Sequence, residues 1–171
     1  MKLIKSTLEN VSVIMDIIND AQKYLASLGI DQWQDGYPDE TQIKKDISND
    51  DSYVITNSHG EIIGTTVFSI KKDPTYDVIK GKWLTSTNAI YGVIHRMAVF
   101  NKNRGEGIAQ FVFKECHRLL RTMNINSLRI DTHRENKGMQ NLLKKYNYKY
   151  CGVIYITNGD ERLAYELVFN E

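Results

Sequence analysis

The stretch NKNRGEGIAQFVF, residues 101–113, places Arg104, Gly105, Glu106 and Gly107 directly before an apolar pattern of helical spacing. Gly105 and Gly107 accept positive φ and let a ligand come close to the backbone. Amides at the start of the following helix lack partners within it, and the helix dipole favours negative charge there. Arg104 adds a guanidinium suited to phosphate oxygens. The chemistry such a turn offers is capture of a phosphate group; the alternative is a plain flexible turn with an ordinary cap. No Gly-Lys-Ser/Thr follows and the three-glycine dinucleotide spacing is missing, so neither a P-loop nor a dinucleotide fingerprint is present. An ATP-binding reading lacks both the P-loop lysine and a clear magnesium-binding carboxylate set.

Proton chemistry has few bearers. His95 lies within AIYGVIHRMAVF (89–100), and imidazole titrates where a proton relay is useful. It is either a general base or a half-buried strand histidine with a carboxylate partner. His133, after IDT, is a weaker candidate, while His59 and His117 are expected at the surface. The segment GIDQWQDGYPDE carries Asp31, Asp35, Asp39 and Glu40 without a basic residue, with Trp33 and Tyr37 interleaved. That loop binds a cation by charge and aromatic faces, or it merely caps a helix and packs a tryptophan. Cys116 and Cys151 match no metal or redox spacing, so no metal is expected and a reducing, cytoplasmic setting is.

The elements that must position these residues follow from periodicity. Residues 2–6, 52–56, 61–70, 89–100, 127–131, 148–157 and 162–169 read as strands. Helices are expected over 10–28, 39–47, from 108 to about 123, and over 136–146. Asn10 or Thr7 would cap the first helix, Gly29 would close it, and Asn147 would close the last in a left-handed conformation. Gly92 inside a long strand predicts a bulge or a close backbone approach. Residues 71–88 show no clear period, and a loop of that length is often functional or mobile.

A chain of 171 residues, 42% apolar and 25% charged, suits one soluble α/β domain over 1–171 with its own core. The net charge of +1 divides unevenly: residues 1–90 have a balance of −4 and residues 91–171 of +5. A basic half suits an anionic ligand and an acidic half a cationic one, though scattered surface charge gives the same numbers. No run is long and apolar enough to span a membrane, no signal peptide is expected ahead of the charged KLIKS, and no basic run offers an aromatic stacking face for nucleic acid.

The block VIHRMAVFNKNRGEGIAQFVF resembles the acetyl-CoA-binding core of the GNAT family of N-acetyltransferases. The family pattern Arg/Gln-x-x-Gly-x-Gly/Ala is met by Arg104, Gly107 and Ala109 after a long strand expected to bulge just past His95. A second block, LRIDTHRENKGMQNLLKKYNYKYCGVIYI (128–156), is similar to the family's next strand-helix-strand unit. The resemblance implies a mixed, mostly antiparallel sheet splayed between strand 91–99 and the parallel strand 127–131, flanked by about four helices.

It further implies an acyltransferase that moves the acetyl group of acetyl-CoA to a primary amine of a small molecule or peptide, by direct attack in a ternary complex. The pantetheine arm would bond the backbone at Met97 and Val99. The pyrophosphate would rest on Arg104, Gly105, Glu106, Gly107, Ile108 and Ala109, with Asn136 also at the cofactor. His95 would be the base, and the N–H of Met97 or Ala98 would meet the oxyanion. Trp33, Tyr37 and His133 would face the acceptor. The family's acidic tyrosine aligns by length with Leu143, which leaves the general acid unassigned and keeps a non-catalytic acyl-CoA-sensing module as the alternative. An exposed edge strand or the final hairpin would support a homodimer.

Overall fold

The computed structural model describes residues 1–86 and 88–169; Thr87, Asn170 and Glu171 lie outside the described residues. The elements in chain order are β1 (Lys2–Lys5), α1 (Val11–Ser27), α2 (Glu40–Ser48), β2 (Ser52–Thr56), β3 (Ile62–Ser69), β4 (Lys80–Gly81), β5 (Gly92–Val99), α3 (Ile108–Thr122), β6 (Ser127–Thr132), α4 (Lys137–Lys145), β7 (Lys149–Tyr155) and β8 (Glu161–Val168). Hydrogen-bonded neighbours follow the order β1-β2-β3-β5-β6-β8-β7-β4. β5 and β6 run parallel, in register at Gly92↔Leu128 and Val93↔Arg129. The pairs β1–β2, β2–β3, β4–β7, β6–β8 and β7–β8 are antiparallel. This is the mixed, mostly antiparallel sheet with four helices that the resemblance implied.

The chain divides into two compact units, and both β5 and α3 run from one into the other. The first holds Met1–Phe68 and His95–Cys116. Its core gathers Ile14, Ile17 and Ile18 of α1 with Ile43, Val54 and Ala98, all buried. The three- and four-residue spacing along α1 puts these isoleucines on one stripe. Gly29 ends that helix at φ 70°, as a left-handed closing residue does. Asp39 caps α2 by accepting the Gln42 amide at 2.8 Å.

The second unit holds Ser69–Ile94 and the chain from His117 onward. Tyr76, Trp83, Tyr91, Val93 and Ile154 are buried together. Gly92 is the expected close approach, because a Cβ there would stand 2.8 Å from the Leu120 side chain. Asn147 closes α4 at φ 64°, as its place in the sequence predicted.

Two expectations need correction. Within the aperiodic stretch 71–88, of which Thr87 lies outside the described residues, Tyr76 and Trp83 are buried and β4 pairs with β7, so this part is tied down rather than loose. The Glu166 carboxylate accepts the amides of Leu84 and Thr85 at 2.5 and 3.2 Å. Partners so far away in sequence leave no local period. His117 is not a surface residue either. It is half-buried, 3.0 Å from the Tyr148 hydroxyl and 5.3 Å from the Phe169 ring centroid.

Candidate active site

β5 carries the first part of the site. Arg96 breaks the extended strand with φ 47°, the left-handed conformation that marks a bulge, just past His95 as expected. The Phe100 amide donates to the Ile63 carbonyl of β3 at 3.1 Å. Strand alternation then turns the peptide groups of Val99 and Met97 to the edge away from β3. The β3 strand is held close because Gly64 has no side chain; a Cβ there would stand 3.1 Å from the Ala98 carbonyl. His95 is half-buried, and its own carbonyl accepts the Thr66 hydroxyl at 3.5 Å.

The Arg96 side chain is held from two directions. Its Nε and Nη2 donate to the two Asp46 carboxylate oxygens of α2 at 2.7 and 2.8 Å. Its Nη1 donates to the Tyr37 hydroxyl at 2.7 Å. Burial works against the guanidinium charge, but Tyr37 and Asp46 outweigh it and raise the Arg96 pKa. Trp33, at φ 66°, packs partly buried against the core of α1 and α2.

The glycine turn is the second part. A 3-10 turn over Asn101–Asn103 leads into it, and the Asp20 carboxylate of α1 accepts the Asn101 amide at 2.5 Å. The Arg104 guanidinium lies 3.6 Å from the centroid of the Tyr24 ring. Gly105 and Gly107 adopt φ 86° and 77°. A Cβ on Gly105 would meet nothing within 4 Å, and one on Gly107 only Gln110 Oε1 at 3.9 Å. The Gly107 carbonyl accepts the Phe111 amide at 2.9 Å, which makes Gly107 the N-cap of α3. Ile108, buried, pins the helix start, while the amides of Ile108, Ala109 and Gln110 fall in the first turn, where no intrahelical acceptor exists. Glu106 turns its carboxylate to the Asn103 side-chain amide at 3.2 and 3.3 Å. Open space over two left-handed glycines, a helix N-terminus and a stacked arginine fit a diphosphate group.

The second unit holds the remaining expected residues. Asn136 caps α4, its side chain accepting the Met139 amide at 3.1 Å. His133 Nδ1 accepts the Glu135 amide at 3.1 Å. Leu143 is fully buried, Tyr146 half-buried and Tyr148 buried. Burial pushes the Cys151 thiol up to about 11. Sequence reasoning missed Asp20, Tyr24, Asp46 and Arg96. Asp46 had a usable signal, since it shares the helical stripe of Ile43 and Ile47, where a charge needs a partner.

The acetyltransferase (GNAT) family model matches residues 14–148, and the chain belongs to that family. A crystal structure of a GNAT-family acetyltransferase from Streptococcus agalactiae is similar over 99% of this chain and 96% of its own, at 33% identity and a TM-score of 0.88. A GNAT-family acetyltransferase from Listeria monocytogenes shares the fold at 16% identity, covering 98% of this chain and 94% of its own, with a TM-score of 0.77. The PaiA N-acetyltransferase from Thermoplasma acidophilum, solved in complex with coenzyme A, shares it at 13% identity over 98% of both chains, with a TM-score of 0.71. No curated protein matches the sequence. Family membership makes the chain an acyltransferase by class. Among the described residues no helix is long and apolar enough to cross a membrane, and no cluster of His, Cys, Asp or Glu could hold a metal ion.

Proposed function

We propose that residues 1–171 act as one N-acetyltransferase domain that passes the acetyl group of acetyl-CoA to a primary amine of a small molecule or peptide, both substrates bound together. The observation that carries this reading is the open glycine turn at the N-terminus of α3, set directly after a strand with a left-handed residue. The amides over 104–109 and the Arg104 guanidinium receive the pyrophosphate. The β5 edge at Met97 and Val99 takes the pantetheine arm, and Asn136 joins the cofactor contacts beside its capping role.

A primary amine with pKa near 10.4 is almost wholly protonated at pH 7, and making it neutral costs about 4.6 kcal/mol. His95 is the candidate base for that proton. The N–H of Met97 or Ala98 was the expected oxyanion donor, and strand alternation turns that of Ala98 toward β3. The Met97 N–H is therefore the one that would stabilise the oxyanion formed when the amine attacks the thioester carbonyl. The amine nitrogen forms its bond to the acetyl carbon, the carbon–sulfur bond breaks, and the thiolate leaves. With a pKa near 8.5 it leaves with modest help, so a dedicated acid is useful rather than obligatory. The acceptor meets Trp33, Tyr37 and His133. The free, buried Cys116 and Cys151 favour a cytoplasmic setting.

One observation favours the second reading, an acyl-CoA-sensing module: the residue aligned with the family tyrosine, Leu143, is aliphatic and fully buried. Thiol release from acetyl-CoA with a panel of primary amines separates the two. Turnover with any amine supports the transferase; tight coenzyme binding with no turnover supports the sensor.

A further inference from the structure

The geometry points to Arg96 as a positioning residue for acetyl transfer, held by Asp46 and Tyr37 so that the loop before α2 controls the backbone at Met97. The inference rests on the transferase reading above. A left-handed non-glycine residue is strained and persists where its surroundings over-determine it. Arg96 is such a residue, inside a strand. Its guanidinium donates to groups earlier in the chain, twice to Asp46 and once to Tyr37.

A guanidinium bonded to both oxygens of one carboxylate is fixed in orientation as well as distance, which a lysine cannot reproduce. Asp46 is itself held, because its side chain is 4% exposed and accepts a hydrogen bond from Gln42 Nε2 at 2.8 Å. Anchoring the far end of the side chain biases Arg96 toward its left-handed conformation, and with it the peptide between Arg96 and Met97. That peptide supplies the candidate N–H group for the oxyanion that faces the open edge of β5.

Tyr37 makes the clamp responsive. It is 38% exposed, in the aromatic and acidic loop that would meet an acceptor, and its hydroxyl ends on the same guanidinium. An acceptor that seats on Tyr37 pushes on the backbone that must receive the oxyanion. The expected consequence is a larger effect on kcat than on coenzyme binding: Met97 also meets the pantetheine arm, but the glycine turn that takes the diphosphate is built from separate contacts with Asp20 and Tyr24.

The test compares the wild type with Arg96→Lys, Asp46→Asn and Tyr37→Phe. Three readouts are taken: desulfo-CoA affinity, acetyl-CoA turnover with n-propylamine and a lysine-containing peptide, and the Met97 backbone amide resonance with acetyl-CoA or desulfo-CoA bound. We expect kcat to fall at least tenfold in Arg96→Lys and Asp46→Asn, with the desulfo-CoA Kd rising by no more than about threefold. Tyr37→Phe, an exposed and conservative change that keeps the fold, should lower kcat about threefold and raise the acceptor KM. The Met97 resonance should differ between the two coenzymes in the wild type and lose that difference in Arg96→Lys, whether or not either amine is turned over.

Equal kcat in all four proteins, kcat and coenzyme affinity lost together, or an unchanged Met97 response would overturn the positioning role alone. A wild type that neither binds desulfo-CoA nor transfers acetyl overturns the transferase reading, and the inference with it.

Discussion

The Arg104 guanidinium lies 3.6 Å from the centroid of the Tyr24 ring, so a helix at the start of the chain holds the arginine of the glycine turn. A stack of this kind costs the arginine little freedom when it meets an anion, because much of its rotamer entropy is already spent. Tyr24→Leu should weaken desulfo-CoA binding two- to fivefold, the worth of about 0.5–1 kcal/mol for an exposed cation–π contact. Arg104→Ala removes a charge-assisted contact worth about 1.5–3 kcal/mol, a loss of roughly 10- to 100-fold. Calorimetric titration of the two variants checks both the size and the order.

Gly107→Ala tests the cradle without a clash. The added methyl would meet only Gln110 Oε1 at 3.9 Å, yet φ is 77°. The left-handed conformation should cost about 1–2 kcal/mol of stability, while the methyl enters the open space in which the proposed diphosphate would sit. Coenzyme affinity should fall at least tenfold in a protein that still folds, read by titration beside a melting curve.

His117 gives the stability a pH dependence. Burial, then the Arg121 charge, lowers its pKa from 6.5 to about 4. Between those values the unfolded chain binds more protons than the folded one, so stability rises with pH across that window. It is fully present above about 6.5 and is lost as pH falls toward 4. Once solvent screening is allowed for, the contribution is about 1–2 kcal/mol. The difference in melting temperature between wild type and His117→Gln should shrink as pH drops through this window.

Glu166 is fully buried with Arg129, and also accepts bonds from Ser127 and Thr85. Burial opposes its charge, but the Ser127 and Thr85 hydrogen bonds and the Arg129 charge outweigh that and lower its pKa. Glu166→Gln leaves Arg129 uncompensated among Trp83 and Tyr91, which should cost about 3–5 kcal/mol. Chemical denaturation measures it, and the same variant should loosen the backbone at Leu84 and Thr85 in hydrogen exchange.

Much of the fold was legible because it is written in local periods. The α1 stripe of Ile14, Ile17 and Ile18, the glycine closure at Gly29 and the left-handed Asn147 all depend on neighbours within a turn or two. The glycine turn was legible for the same reason. The Arg96 clamp was not, since its partners Tyr37 and Asp46 stand 59 and 50 residues away. The anchoring of Leu84 and Thr85 was hidden likewise, because it hangs on Glu166 from about 80 residues downstream. The two-residue strand β4 escaped notice because its pairing depends on one glycine in each strand, Gly81 of β4 facing Gly152 of β7: a Cβ on Gly81 would stand 2.1 Å from the Cys151 carbonyl.

The most direct test of the cofactor reading is the melting temperature of the 171-residue chain with acetyl-CoA, desulfo-CoA or ATP at about 100 times Kd. A ligand at that level adds about 2.7 kcal/mol. For a chain of this size the melting temperature should rise by about 5–10 °C. The account predicts that rise with both CoA compounds and none with ATP. No rise with either CoA compound would make the glycine turn a purely structural feature and contradict the account.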